Sequence, residues 1–147
     1  MGYREDGKWW VSPSNYEDEV RSTFNFPEKL EILDTTLRDG EQQAGIIFTR
    51  EDKVAIAKKL AQVGVQRIEA GTPAASQEDA DAIKAIVDEG LDSKIFCFCR
   101  NMVKDMELAK SLGADGVVAE IIGSEHLLKY GKRWTLQQAV DACVEAT

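Results

Sequence analysis

Four short, mostly apolar runs at residues 31–35, 66–70, 94–99 and 116–120 alternate with amphipathic stretches of helical period, and this alternation constrains the fold most strongly. Runs of that length and composition suit parallel strands buried on both faces. Strand and helix in strict succession imply α/β architecture with right-handed crossovers.

The intervening helices have readable ends. Thr49 caps a helix with Ile56, Ala57, Leu60 and Val63 on one face, Asp52 at the reciprocal capping position and Gly64 as its stop. Ser76 caps the second, with Asp79 three residues on, a stripe of Ala80, Ile83 and Val87, and Gly90 at its end. Val103, Met106 and Ala109 mark a third, closed by Gly113. Thr135 and Gln138 form the capping box of a fourth, whose Ala139, Val140, Cys143 and Val144 are expected to face inward.

Strand starts near 31, 66, 94 and 116 are 35, 28 and 22 residues apart. A whole eight-fold barrel of roughly 250 residues uses about 30 per unit, so the 119 residues from Lys29 hold four units. The chain stops inside its fourth amphipathic helix, at Ala146 and Thr147, without a C-cap. The expected fold is therefore α/β: a partial (β/α)8 TIM barrel of about the first four βα units, with parallel strands. A complete small open sheet of flavodoxin type is the rival.

Residues 1–28 are read as an N-terminal extension and 29–147 as the N-terminal half of a TIM-barrel catalytic domain. The extension holds Tyr3, Trp9, Trp10 and Tyr16 without a clear period. So many aromatic rings favour packing against something, the barrel or a partner subunit.

A net charge of −8 argues against a nucleic-acid binder, which needs a positive patch to replace phosphate counterions. No apolar run is long enough to span a bilayer, and MGYREDGKWW has no apolar core like that of a signal peptide. A cytoplasmic protein that does not engage membranes is expected. Cys97 and Cys99 alternate along one strand and read as buried reduced thiols rather than a metal pair.

The densest polar cluster follows the first strand: Asp34, Thr35, Thr36, Arg38, Asp39, Gly40, Glu41, Gln42 and Gln43. Barrel active sites sit at that end of the strands, although a surface turn can be equally polar. Arg38 beside Asp39, followed by Gly40, lets one turn present a cation and an anion together. A carboxylate binds hard divalent ions, and a guanidinium neutralises charge developing on an oxygen.

The run LDTTLRDGEQQAG at 33–45 closely resembles the signature of the family of isopropylmalate synthases, homocitrate synthases and hydroxymethylglutaryl-CoA lyases, metal-dependent (β/α)8 enzymes of pyruvate-carboxyltransferase type. A weaker likeness runs through IEAGTP at 68–73 and GADGVV at 113–118. The resemblance implies that Arg38 is the catalytic arginine, Asp39 the metal-binding aspartate and Gln42 a substrate-binding glutamine. It implies that Glu69 is a second catalytic group near the metal; a structural carboxylate at a strand end is the other reading.

The implied chemistry joins acetyl-CoA, or another acyl-CoA, to a 2-oxo acid with a divalent ion (Mg, Mn or Zn), giving a 2-alkylmalate-type product. Arg38 and Gln42 would bind substrate, Arg38 would stabilise the oxyanion, and thioester hydrolysis would make condensation irreversible. Such enzymes are expected to work as homo-oligomers on small molecules. The Glu-Gln after Gly40 looks like the synthases rather than the lyases, so lyase or aldolase chemistry is the alternative. A non-catalytic fragment or interaction module is the second alternative.

Two departures qualify the match. The family completes its metal site with an H-x-H pair, whereas His126 is the chain's sole histidine; that pair is expected beyond residue 147. Homocitrate synthases carry a substrate-binding histidine after the third strand, where this chain has Asn101 and Met102. Lys129, Lys132 and Arg133 form a basic cluster that reads either as a solvated loop or as an anion contact.

Overall fold

The structure, a computed structural model, describes residues 4–147, the side chain of Trp9 excepted. The chain divides into two compact units, Met1–Leu30 and Glu31–Thr147.

The first unit pairs Arg4–Glu5 antiparallel with Trp9–Trp10 and continues through a 3-10 turn, Pro13–Tyr16, and a helical turn, Asp18–Arg21. The Phe24 and Phe26 rings lie 5.2 Å apart, and the Arg21 guanidinium is 5.8 Å from the Tyr16 ring. Trp10 and Phe26 are 67% and 69% exposed. Strands of two residues bury too little to enclose large rings. Tyr3 and the Trp9 side chain lie outside the described residues.

The second unit holds four parallel strands: β1 (Leu33–Asp34), β2 (Arg67–Glu69), β3 (Lys94–Arg100) and β4 (Gly116–Glu120). They lie in the order β1-β2-β3-β4. After them in turn come helices α1 (Arg50–Gln62), α2 (Gln77–Asp88), α3 (Val103–Ser111) and α4 (Leu136–Ala146). A flavodoxin-type sheet would place its second strand outside its first, in the order 2-1-3. Sequential order is that of consecutive βα units in a (β/α)8 barrel, and the chain forms part of one.

Strand faces divide the chemistry. On β3, Ile95, Cys97 and Cys99 are buried, in one cluster with Ile68, Ala70, Ala57, Ile83, Ile86 and Ala109. Burial pushes the Cys97 thiol up to about 12 and the Cys99 thiol up to about 11, so both are inert neutral thiols. Alternation and register put Arg67, Glu69, Phe96, Phe98, Arg100 and Glu120 on the opposite, polar face.

Local signals act where expected. Thr49 with Asp52, and Thr135 with Gln138, close reciprocal capping boxes, and Ser76 Oγ accepts the Asp79 N–H. The apolar stripes need correction at their ends. Val63 is 77% exposed, because it is the C-cap and the chain leaves the helix at Gly64 with φ +87°. Val103 is 39% exposed, and Asp105 takes the buried position on α3. On α4, Ala139 is buried, but Val140 and Val144 are 46% and 74% exposed. That helix packs on α3, and among the described residues no strand lies beyond β4 to meet its remaining stripe. Strand β1 is shorter than 31–35, although Arg67 N still donates to Ile32 O at 3.1 Å.

Gly116 faces Phe96 across the β3–β4 ladder, and a Cβ there would lie 2.5 Å from Phe96 Cε1. Gly116→Ala is expected to destabilise the chain by about 1–3 kcal/mol, read by urea melting, as overpacking does. Phe96→Leu in the same chain should recover most of the loss. A Gly116→Ala midpoint equal to wild type would show that the ring has room to move.

Candidate active site

The site begins with the backbone after β1. Asp34 Oδ1 accepts the Thr36 N–H at 2.9 Å, starting an Asx turn. The Thr35 carbonyl then accepts N–H groups from Arg38, Asp39 and Gly40 at 3.1, 2.8 and 3.2 Å. Leu37 is fully buried and pins the middle of this turn to the core. Its neighbour Arg38 is thereby placed beside β2.

There the guanidinium meets Glu69, at the end of β2. Arg38 Nε donates to Glu69 Oε1 at 2.9 Å and Nη2 donates to Oε2 at 3.1 Å, a two-pronged ion pair. Nη1 donates to Asp39 Oδ1 at 2.9 Å. The guanidinium carbon stacks 4.6 Å from the centre of the Phe98 ring. The Glu69 side chain is 1% exposed and that of Arg38 18%. The hydrogen bond to Glu69 holds the Arg38 pKa above its usual value against the opposing effect of burial, with Asp39 and Glu120 adding to the rise. Arg38 is a permanent cation.

A guanidinium has five N–H donors. Three are used here, which leaves one hydrogen on each Nη for an incoming oxygen. Both Glu69 oxygens are taken by Arg38, so in this arrangement Glu69 orients the guanidinium. Asp39 is 62% exposed, and its Oδ2 has no hydrogen-bond or ion-pair partner among the described residues. A hard, accessible carboxylate oxygen fits one position around a divalent ion such as Mg, Mn or Zn. No group of three or more His, Cys, Asp or Glu side chains arranged for a metal occurs among the described residues. Gln42 is exposed, closing the 3-10 turn Gly40–Gln42.

The structure thus brings Asp39 and Glu69 each into contact with Arg38 and places Gln42 three residues beyond Asp39, with no hydrogen bond to the three among the described residues. Gly71, two residues past Glu69, has φ +151°, and a Cβ there would lie 3.4 Å from Ile83 Cδ1. The glycine in IEAGTP lets the post-β2 segment lie close against α2.

His126 lies in the short helix Glu125–Leu127, its ring 4.8 Å from that of Tyr130. Lys129 and Lys132 lie 5.2 and 5.6 Å from the Tyr130 and Trp134 rings, and Arg133 ends the turn with φ 58°. A cavity of about 390 Å³ at the ends of β3 and β4 is lined by Arg100, Asn101, Met102, Glu120, Lys132 and Trp134. Asn101 Nδ2 is buried there without a hydrogen-bond partner among the described residues. Sequence reasoning raised Asn101 only as a departure from a histidine, and a lone Asn after a strand gives no signal of such a cavity.

The family model described as HMGL-like matches residues 29–147. Homocitrate synthase AksA of Methanothermobacter thermautotrophicus is 36% identical over 139 residues, which are 95% of this chain and 34% of that protein. A probable 2-isopropylmalate synthase of Ignicoccus hospitalis is 45% identical over 122 residues, 83% of this chain and 31% of the relative. The chain therefore spans about a third of the length of these curated relatives. The crystal structure of the HMG-CoA lyase from Brucella melitensis superposes with a TM-score of 0.61 at 24% identity, over 82% of this chain and 44% of that one. That likeness supports the fold.

Proposed function

The chain belongs to the HMGL-like family, and on that premise we propose that it carries the first part of the active site of an acyl-CoA-dependent C-acyltransferase. The reaction joins acetyl-CoA, or another acyl-CoA, to a 2-oxo acid and gives a 2-alkylmalate-type product. The observation that carries this reading is the Arg38 guanidinium, clamped by Glu69 and Phe98 with one hydrogen spare on each Nη.

Condensation needs a proton removed from the acyl methyl group, a bond from that carbon to the ketone carbon, and a partner for the resulting alkoxide. Arg38 supplies the last of these. Its fork is fixed before substrate arrives, so little reorganisation accompanies charge development. Glu69 acts through Arg38 by holding the fork. Gln42 is assigned to a polar contact with substrate at the mouth. Asp39 Oδ2 would be one ligand of a divalent ion, which, when bound, polarises the 2-oxo acid and orients it.

The names of the relatives support a synthase over a lyase. Lyase chemistry would use the same arginine in reverse, so the test must separate the two. Residues 1–28 are assigned to an N-terminal extension and 29–147 to the N-terminal half of the catalytic domain, in a cytoplasmic homo-oligomer.

For the test, this chain is joined in frame to the remaining two thirds of the Ignicoccus hospitalis relative. Free thiol should be released from acetyl-CoA only when a 2-oxo acid and a divalent ion are both present. Thiol release independent of the 2-oxo acid would leave a thioesterase. Cleavage of a 3-hydroxyacyl-CoA without condensation would favour the lyase.

A further inference from the structure

Lys53 lies in the first turn of α1 and is 3% exposed. A lysine ammonium so placed needs charged partners to offset its lost hydration. It has two. Its Nζ lies 2.7 Å from Glu41 Oε2 and also donates to Asp79 Oδ1. Burial lowers the lysine pKa, but the hydrogen bonds to Asp79 and Glu41 outweigh it and hold the group above its usual range.

The origins of the partners give this cluster its interest. Glu41 sits in the 3-10 turn directly after Asp39, and its other oxygen accepts the Phe48 N–H at 3.0 Å. Asp79 belongs to the first turn of α2, where its own N–H is held by Ser76 Oγ at 3.1 Å. Asp79 Oδ1 also lies 3.5 Å from where a Cβ on Gly71 would stand, so it abuts the segment that follows Glu69. One ammonium therefore ties the post-β1 turn carrying Arg38 to the helix that backs the segment directly after Glu69.

We propose that Lys53 is a positioning residue whose two-carboxylate clamp, Glu41 and Asp79, sets the place of Arg38 opposite Glu69. Arg38 is then held from two sides, directly through its own fork and indirectly through the far end of its turn. What this does for a reaction rests on the function proposed above; where Arg38 is held does not.

The test follows the Arg38 Nε–H signal by NMR in this chain, assigned by its loss in Arg38→Lys. Lys53→Met should speed its exchange with solvent by about tenfold or more. Asp79→Asn should also speed it, although Asp79 is linked to the turn through Lys53. Once Lys53 is replaced, Asp79→Asn should add little, the mark of groups acting as one unit. Ile86→Val, a buried α2 change that also lowers the melting temperature, should leave the exchange near wild type.

The proposal is overturned if exchange in the Lys53 and Asp79 variants follows melting temperature alone, along the same line as Ile86→Val. Should Lys53→Met fail to fold, Asp79→Asn against Ile86→Val decides. Absence of thiol release from the chimera, with Arg38 exchange behaving as expected, would sink the condensation reading and leave the clamp. Normal thiol release with unchanged exchange would sink the clamp alone.

Discussion

Glu69→Gln should lower the melting temperature of this chain by roughly 10 °C, the largest stability effect expected of a single polar substitution in the site. Glu69 is 1% exposed and meets Arg38 with both oxygens. Taking away the charge leaves a guanidinium mostly removed from water. Breaking a buried pair on one side costs about 3–5 kcal/mol. Arg38 keeps Asp39 and some solvent access, which puts the effect near the low end, about 3 kcal/mol. For a domain of this size, about 1 kcal/mol corresponds to roughly 3–5 °C. The double variant Arg38→Met/Glu69→Met should be more stable than Glu69→Gln, because it removes the desolvated charges together. A double variant that simply sums the losses of the two single changes would mean that Arg38 and Glu69 are not coupled, and would overturn the pair as a unit.

What sequence could reach here divides by distance along the chain. Strands, capping boxes and the adjacency of Arg38 and Asp39 are local, set by neighbours within a few positions, and were legible. The contacts that give the cluster its chemistry are not local. Arg38 and Glu69 are 31 residues apart, and Lys53 and Asp79 are 26. No periodicity announces such pairs; only the resemblance suggested that Glu69 belongs near the metal and the reacting carbons. Lys53 did leave a trace, since with Ala57 and Leu60 it follows the helical spacing of the buried face of α1. A charged residue within an apolar stripe reads as an interruption until its partners are known. Exposed Val140 and Val144 show the opposite error, because an amphipathic stripe states which face is apolar and not whether anything covers it.

Arg38→Ala in the chimera should reduce thiol release by about 10²–10³-fold, the loss typical of removing a preorganised oxyanion donor. The loss should fall on kcat, because the spare Nη hydrogens matter most when negative charge gathers on the ketone oxygen. Arg38→Lys is the sharper comparison. It preserves the charge but has no planar fork, so it cannot satisfy both Glu69 oxygens and still aim donors at a third oxygen. Its rate should lie within about tenfold of the alanine variant if geometry governs the effect. If a lysine restores most of the rate, the site needs only a positive charge, and the Glu69 and Lys53 anchors have no catalytic consequence. Glu69→Gln tests the same point from the other side: the guanidinium remains but is less firmly oriented. Its kcat should fall by about tenfold, less than on deleting the donor, since one acceptor for the fork persists. Undiminished thiol release in Arg38→Ala would remove Arg38 from the reaction altogether, and with it the reason to regard the turn after β1 as the start of an active site.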